Sequence, residues 1–215
     1  MDAKTVYEKI GAARVVPVVA IESPESAVPF ADALIEGGLP VAEVTFRTEA
    51  AAEVMQVLRR ERPDVMVGAG TILTVENLHR AVDAGAVFGV SPGLNPKVVE
   101  AALGLGFPFA PGVMTPSDVE LGLAYDLEVL KFFPAGAVGG PKFLKSLAAP
   151  YAHTGVRFIP TGGVNQDNLA DYLAMDAVLA VGGTWIAKKD AVSGGEWAKI
   201  AANARAAVEA AAKLG

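Results

Sequence analysis

The sequence contains no cysteine and only two histidines. Without cysteine there is no disulfide framework and no thiolate metal site, which fits a reducing compartment. His79 falls in a helical stretch and His153 in a loop, with no ligand spacing between them, so no imidazole-based metal centre is expected. Concentrated charge is missing too. The 18 Lys and Arg against 24 Asp and Glu leave a formal net charge of -6, and the basic residues are scattered, so no nucleic-acid partner is expected. Nor is there a membrane-length apolar run. Residues 101–114 are broken by Gly104, Gly106, Pro108, Pro111 and Gly112, where a span needs about 20 apolar residues. The start of the chain is charged through to Lys9 and lacks the apolar region of a signal peptide. A cytoplasmic protein with no membrane association is the expectation.

What is present is hydrophobicity in a regular arrangement. Hydrophobic residues make up 52% of the chain, enough for one large core. Short β-branched runs begin near Val15, Val41, Val65, Val87, Phe107, Glu128, Val156 and Ala177, each ~20–28 residues after the last, the length of a strand-plus-helix unit. Helix signals fill the gaps. Ser23-Pro24, Thr48-Glu49, Thr74-Val75-Glu76, Asn95-Pro96, Thr115-Pro116 and Asn165-Gln166-Asp167 are starts; Gly37-Gly38 and Gly85 are stops. The stretch from Gly195 to Leu214 is helical and rich in alanine.

Eight such units fit either an open doubly wound sheet or a closed barrel. A dinucleotide-binding sheet wants glycines after its first strand, and this chain has Ala20-Ile21-Glu22-Ser23-Pro24 there. Its paired glycines follow strands seven and eight, where a barrel commonly binds phosphate. The expected fold is α/β: one (β/α)8 TIM barrel domain over residues 1–215, with an N-terminal helix.

Within that frame Lys131 is anomalous. It lies in Glu128-Val129-Leu130-Lys131-Phe132-Phe133-Pro134, a strand of apolar neighbours, and burying an ammonium costs several kcal/mol unless it is paired or loses its proton. An edge-strand lysine that discourages aggregation is the bland alternative, but a closed barrel has no edge. Alternation points Val129, Lys131 and Phe133 inward, and likewise Val41, Glu43 and Thr45 of strand two. A carboxylate and an amine therefore converge. That pair alone could be a simple buried ion pair, yet other polar groups stand at neighbouring strand ends. Arg47 offers a planar fork for a carboxylate. Thr71 ends strand three, Thr161 ends strand seven, and Pro92 lies in a wall-forming turn, Ser91-Pro92-Gly93.

The two glycine turns are Thr161-Gly162-Gly163-Val164 and Val181-Gly182-Gly183-Thr184-Trp185. Without Cβ atoms, their N–H groups can approach an anion, and a following helix N-terminus would add positive potential.

These motifs, in this order and over nearly the whole chain, resemble the 2-keto-3-deoxy-6-phosphogluconate (KDPG) aldolases, which often also act on 4-hydroxy-2-oxoglutarate. The blocks are Glu43-Val44-Thr45-Phe46-Arg47-Thr48, Val67-Gly68-Ala69-Gly70-Thr71, Ser91-Pro92-Gly93, Lys131-Phe132-Phe133-Pro134-Ala135, Pro160-Thr161-Gly162-Gly163 and Gly182-Gly183-Thr184-Trp185. The resemblance implies a homotrimeric class I aldolase of the Entner–Doudoroff route that cleaves KDPG to pyruvate and glyceraldehyde 3-phosphate, with no metal or other cofactor. It assigns Lys131 as the Schiff-base lysine and Glu43 as the general acid/base. Arg47 and Thr71 become the pyruvate-carboxylate binders, with Pro92, Phe133 and Thr161 against the substrate. Gly162, Gly163, Gly182, Gly183 and Thr184 become the phosphate site.

The chain departs from the family pattern in places. Thr184 stands where Ser is frequent and keeps the hydroxyl. Gly136 stands where many relatives have Glu. Ala20 stands where some relatives acting on the galactose-derived epimer have arginine, which favours the gluconate substrate over 2-keto-3-deoxy-6-phosphogalactonate. A phosphate-binding barrel epimerase or isomerase would share the glycine turns but has no use for an imine-forming lysine. A non-catalytic sugar-phosphate sensor would not need Glu43, Arg47 and Lys131 together.

Overall fold

A run such as Val15-Val16-Pro17-Val18-Val19 is stiff at χ1 and packs well on a pleated surface, so it extends. The computed structural model, which describes residues 1–214, contains nine such strands: β1 (Val15–Val19), β2 (Val41–Thr45), β3 (Met66–Gly70), β4 (Gly89–Val90), β5 (Phe109–Ala110), β6 (Gly112–Val113), β7 (Val129–Phe132), β8 (Arg157–Pro160) and β9 (Val181–Gly183). Every pairing among them is parallel. Six run in the order β5-β4-β3-β2-β1-β9 and three in the order β6-β7-β8.

Two joints complete the ring. The fifth expected strand is split at Pro111, which has no N–H to donate. Its first half pairs with β4 and its second with β7. Pro111 still accepts a hydrogen bond from the Lys131 N–H at 2.9 Å. At the other joint, parallel bridges Phe158↔Val178 and Thr161↔Gly182 tie β8 to the β9 segment. The expected barrel is thus present, with one interrupted strand and one loosely laced seam.

The helices are α1 (Ala3–Ala13), α2 (Ala27–Glu36), α3 (Ala51–Glu61), α4 (Val75–Asp83), α5 (Pro96–Gly104), α6 (Pro116–Ala124), α7 (Gly140–Ala148), α8 (Leu169–Leu173), α9 (Lys189–Ser193) and α10 (Trp197–Ala212). Three starts fall where the capping signals put them. Thr74 caps α4, Asn95 caps α5, and Thr115 with Asp118 forms a reciprocal capping box on α6. Other starts differ. Ser23-Pro24 opens a 3₁₀ turn, because the Ser23 hydroxyl bonds the Glu25 carboxylate instead of the backbone. Thr48 gives its hydroxyl to Ile21 O at 2.8 Å, and α3 begins three residues later. Asn165 closes a local turn onto the Asp167 and Asn168 N–H groups, which delays α8 to Leu169. The last helix begins at Trp197.

The core lies between ring and helices, where Ala42, Val44, Leu130, Phe132 and Phe158 meet Phe30, Leu34, Leu58, Leu144 and Tyr172, all buried. The ring interior is different. There the buried residues include Glu43, Thr45, Lys131 and Thr161.

Candidate active site

Glu43 is the third residue of β2 and Lys131 the third of β7, so both project into the ring. Lys131 Nζ lies 3.0 Å from Glu43 Oε1 and 3.3 Å from Oε2, and the two residues are only 5% and 4% exposed. The backbone makes room for this. A Cβ on Gly70, at the end of β3, would overlap the Glu43 carboxylate, so glycine there lets the side chain cross the interior. The Phe133 ring sits with its centroid 5.7 Å from Nζ, an arrangement that stabilises a cation. Such a buried pair contributes little net stability, because both charges have left water.

Above the pair is a cavity of about 120 Å³. Of the residues expected at the site, Glu43, Arg47, Thr71, Pro92, Lys131, Phe133, Thr161, Gly162, Gly163, Gly183 and Thr184 line it. Gly182 does not. It is bridged to Thr161, and a Cβ there would strike the Thr161 hydroxyl. Its place in the fold is to let Thr161 lean across the seam.

Arg47 donates its Nε–H to Thr45 Oγ1 at 3.1 Å, and among the described residues it has no carboxylate partner within 4.0 Å. Thr71 has φ +59°, a left-handed conformation that costs a β-branched residue about 1–3 kcal/mol. That strain sits at the cavity wall. Pro92 is held by a turn in which the Ser91 hydroxyl donates to Gly93 O at 2.7 Å.

At the opposite wall Gly162 and Gly163 have φ +87° and +84°. Their N–H groups find no acceptor among the described residues, while Gly162 O accepts from Gly136 N and Gly163 O from Asn168 Nδ2. Carbonyls tied back and N–H groups left unpaired make a turn suited to an anion. The helices after the glycine turns, α8 and α9, have five residues each and start only at Leu169 and Lys189. The positive potential here therefore comes from backbone N–H groups, and the expected helix N-terminus is not part of it. Gly136, where many relatives have glutamate, lies against this turn: an added Cβ would come within 3.1 Å of the Gly163 Cα.

Two lining residues were not singled out from the sequence. Val18 is an inward β1 residue paired with Glu43, and only its parity could have marked it. Thr45 shares the inward phase of β2, but its residue type alone names no task there. Size does not locate the site. A cleft of about 780 Å³ opens at the other end of the barrel beside Tyr7, Glu128 and Arg157, without a base poised on a nucleophile. Burial and the nearby Glu128 charge raise the Tyr7 phenol far above its ordinary pKa, which keeps it neutral. Among the described residues no group of three or more His, Cys, Asp or Glu gathers to hold a metal, and no helix is long and apolar enough to cross a membrane.

Comparison with known proteins decides the family. The profile of the "KDPG and KHG aldolase" family matches residues 6–203. The chain belongs to that family. It is 47% identical to a 2-dehydro-3-deoxy-phosphogluconate aldolase of Treponema pallidum over 198 residues, covering 92% of this chain and 93% of the relative. A KDPG aldolase from Legionella pneumophila, solved with pyruvate captured as a covalent carbinolamine intermediate, superposes with a TM-score of 0.89 at 38% identity, covering 94% of this chain and 98% of that one. The Zymomonas mobilis KDPG aldolase solved with 3-phosphoglycerate gives 0.85 at 40% identity, with 94% of each chain covered. The KDPG and KHG aldolase motifs thus converge here on one cavity, Gly182 excepted.

Proposed function

We propose that this protein is a class I aldolase that reversibly cleaves KDPG to pyruvate and glyceraldehyde 3-phosphate through an imine on Lys131, and that it also cleaves 4-hydroxy-2-oxoglutarate to pyruvate and glyoxylate. The observation that carries this is the buried Lys131–Glu43 pair facing a cavity with an arginine at one side and a glycine turn at the other. Glu43 takes a proton from the lysine, and the neutral amine attacks the C2 carbonyl to give a carbinolamine. Glu43 returns a proton as water leaves, so the imine forms. The protonated imine then accepts the electron pair of the C3–C4 bond while Glu43, a carboxylate again, takes the proton of the C4 hydroxyl. That frees the aldehyde and leaves an enamine. Glu43 returns that proton to C3, and addition of water to the imine releases pyruvate and restores the amine. Because the imine nitrogen is the electron sink, no metal enters these steps.

Binding follows from the walls. Arg47 and Thr71 hold the carboxylate, Pro92, Phe133 and Thr161 flank the carbon chain, and the N–H groups of Gly162, Gly163 and Gly183 with the Thr184 hydroxyl take the phosphate. Anchoring both ends positions C2 over the lysine without drawing on the bond-breaking step. The Legionella relative's trapped pyruvate and the Zymomonas relative's 3-phosphoglycerate support the two ends of this reading.

The family resemblance further supports a cytoplasmic homotrimer, a mass that light scattering reads directly. A coupled assay for pyruvate tests the activity, with KDPG, its galactonate epimer and 4-hydroxy-2-oxoglutarate compared. KDPG should turn over fastest, Lys131→Met should abolish turnover with the circular-dichroism spectrum retained, and a chelator should leave the rate unchanged. Full activity in Lys131→Met, or loss on chelation, would overturn the reading.

A further inference from the structure

The hydroxyl of Thr45 has two partners, and chemistry fixes the direction of each bond. Val19 O can only accept, so Thr45 Oγ1 donates to it, at 3.1 Å. Arg47 Nε–H can only donate, so Oγ1 accepts from it, also at 3.1 Å. A hydroxyl has one hydrogen, and that hydrogen is committed to Val19. Breaking that bond is costly, because Thr45 and Val19 are both 1% exposed. Thr45 ends β2 beside β1, whose last residue is Val19. The turn that follows is pinned as well: Phe46 N–H donates to Gly70 O at 2.8 Å, the Phe46 ring lies 5.5 Å from the Arg80 guanidinium carbon, and Thr48 holds Ile21 O. The root of Arg47 is therefore fixed, and its fork is the part left to be aimed.

We propose that Thr45 is a positioning residue for Arg47. Its hydroxyl, oriented by the Val19 carbonyl, consumes the Nε–H and so presents the guanidinium to a keto-acid carboxylate end-on, through Nη1 and Nη2. This rests on the carboxylate-binding role proposed for Arg47. The side-on approach, which uses Nε together with one terminal nitrogen, is closed, because Nε–H is already spent. Thr45 lines the cavity, yet it cannot donate to the substrate, since its only proton points at Val19. Its influence on binding passes entirely through the arginine.

The test is the steady-state cleavage of KDPG by Thr45→Val, Thr45→Ser, Arg47→Ala and the Thr45→Val/Arg47→Ala double variant. Thr45→Val keeps the shape and removes the hydroxyl. It should raise KM about tenfold, the size of one hydrogen bond to a charged group, with kcat changed less than about twofold. Thr45→Ser should restore the KM. In the Arg47→Ala background Thr45→Val should change nothing further, and the inhibition constant of inorganic phosphate should stay at its wild-type value in all Thr45 variants. A wild-type KM in Thr45→Val, or an equal rise with and without Arg47, overturns the proposal. An unchanged KM in Arg47→Ala instead overturns the role given to Arg47. Should Thr45→Val not fold, Thr45→Ala carries the same expectations.

Discussion

Lys131 and Glu43 tolerate the interior because each has the other within 3.0 Å. Their meeting was legible from sequence because strand alternation has a period of two and both residues share the inward phase with apolar or small neighbours. Less legible was Thr71. No propensity puts a threonine at φ +59°, and its conformation emerges only from the way β3 ends against the cavity. The strain returns about 1–3 kcal/mol when relieved, and glycine's extra unfolded-state freedom takes back about 0.5–1 kcal/mol. Thr71→Gly should therefore unfold at a slightly higher denaturant concentration while its KM for the keto acid rises. A variant both less stable and kinetically normal would show that the threonine is there for folding instead.

At the level of the element, a helix start could be read wherever the capping side chain had no better partner. Thr115 and Asp118 face each other across one turn and satisfy each other's N–H groups, so Thr115-Pro116 announced α6 correctly. Thr48 and Asn165 carry the same signal, but Ile21 O and a local turn claim their side chains, and neither competitor is visible in the residues nearby. The Asp118 box also makes a pH prediction. Burial pushes its carboxyl up, but hydrogen bonds from the Met114 and Thr115 N–H groups and from the Thr115 side chain outweigh that and hold it below its ordinary pKa. A depressed carboxyl adds stability above its unfolded pKa and loses it as pH falls through the folded one. Asp118→Asn should cost about 1 kcal/mol at neutral pH, as caps usually do, and the gap to wild type should close in acid below the ordinary aspartate range. Urea titrations at the two pH values would show it; a constant gap would mean that packing, not charge, is at stake.

For the whole molecule, the eight-fold alternation and the missing first-strand glycines were enough to select a ring over an open sheet. The break at Pro111 and the sparse lacing at Thr161↔Gly182 were not, since both depend on which neighbour each short strand finds. The same limit applies to Gly182, whose sequence partner Gly183 lines the cavity while it makes space for Thr161. The ring's purpose in this account is to bring one amine, one carboxylate and two anion-holding walls to a single cavity, and the amine is the claim on which the rest depends. Pyruvate with borohydride tests it most directly, followed by peptide mass mapping. Irreversible inactivation and a single reduced pyruvyl group on Lys131 are expected, both absent when either reagent is omitted. No adduct, or an adduct on any other lysine, would contradict it.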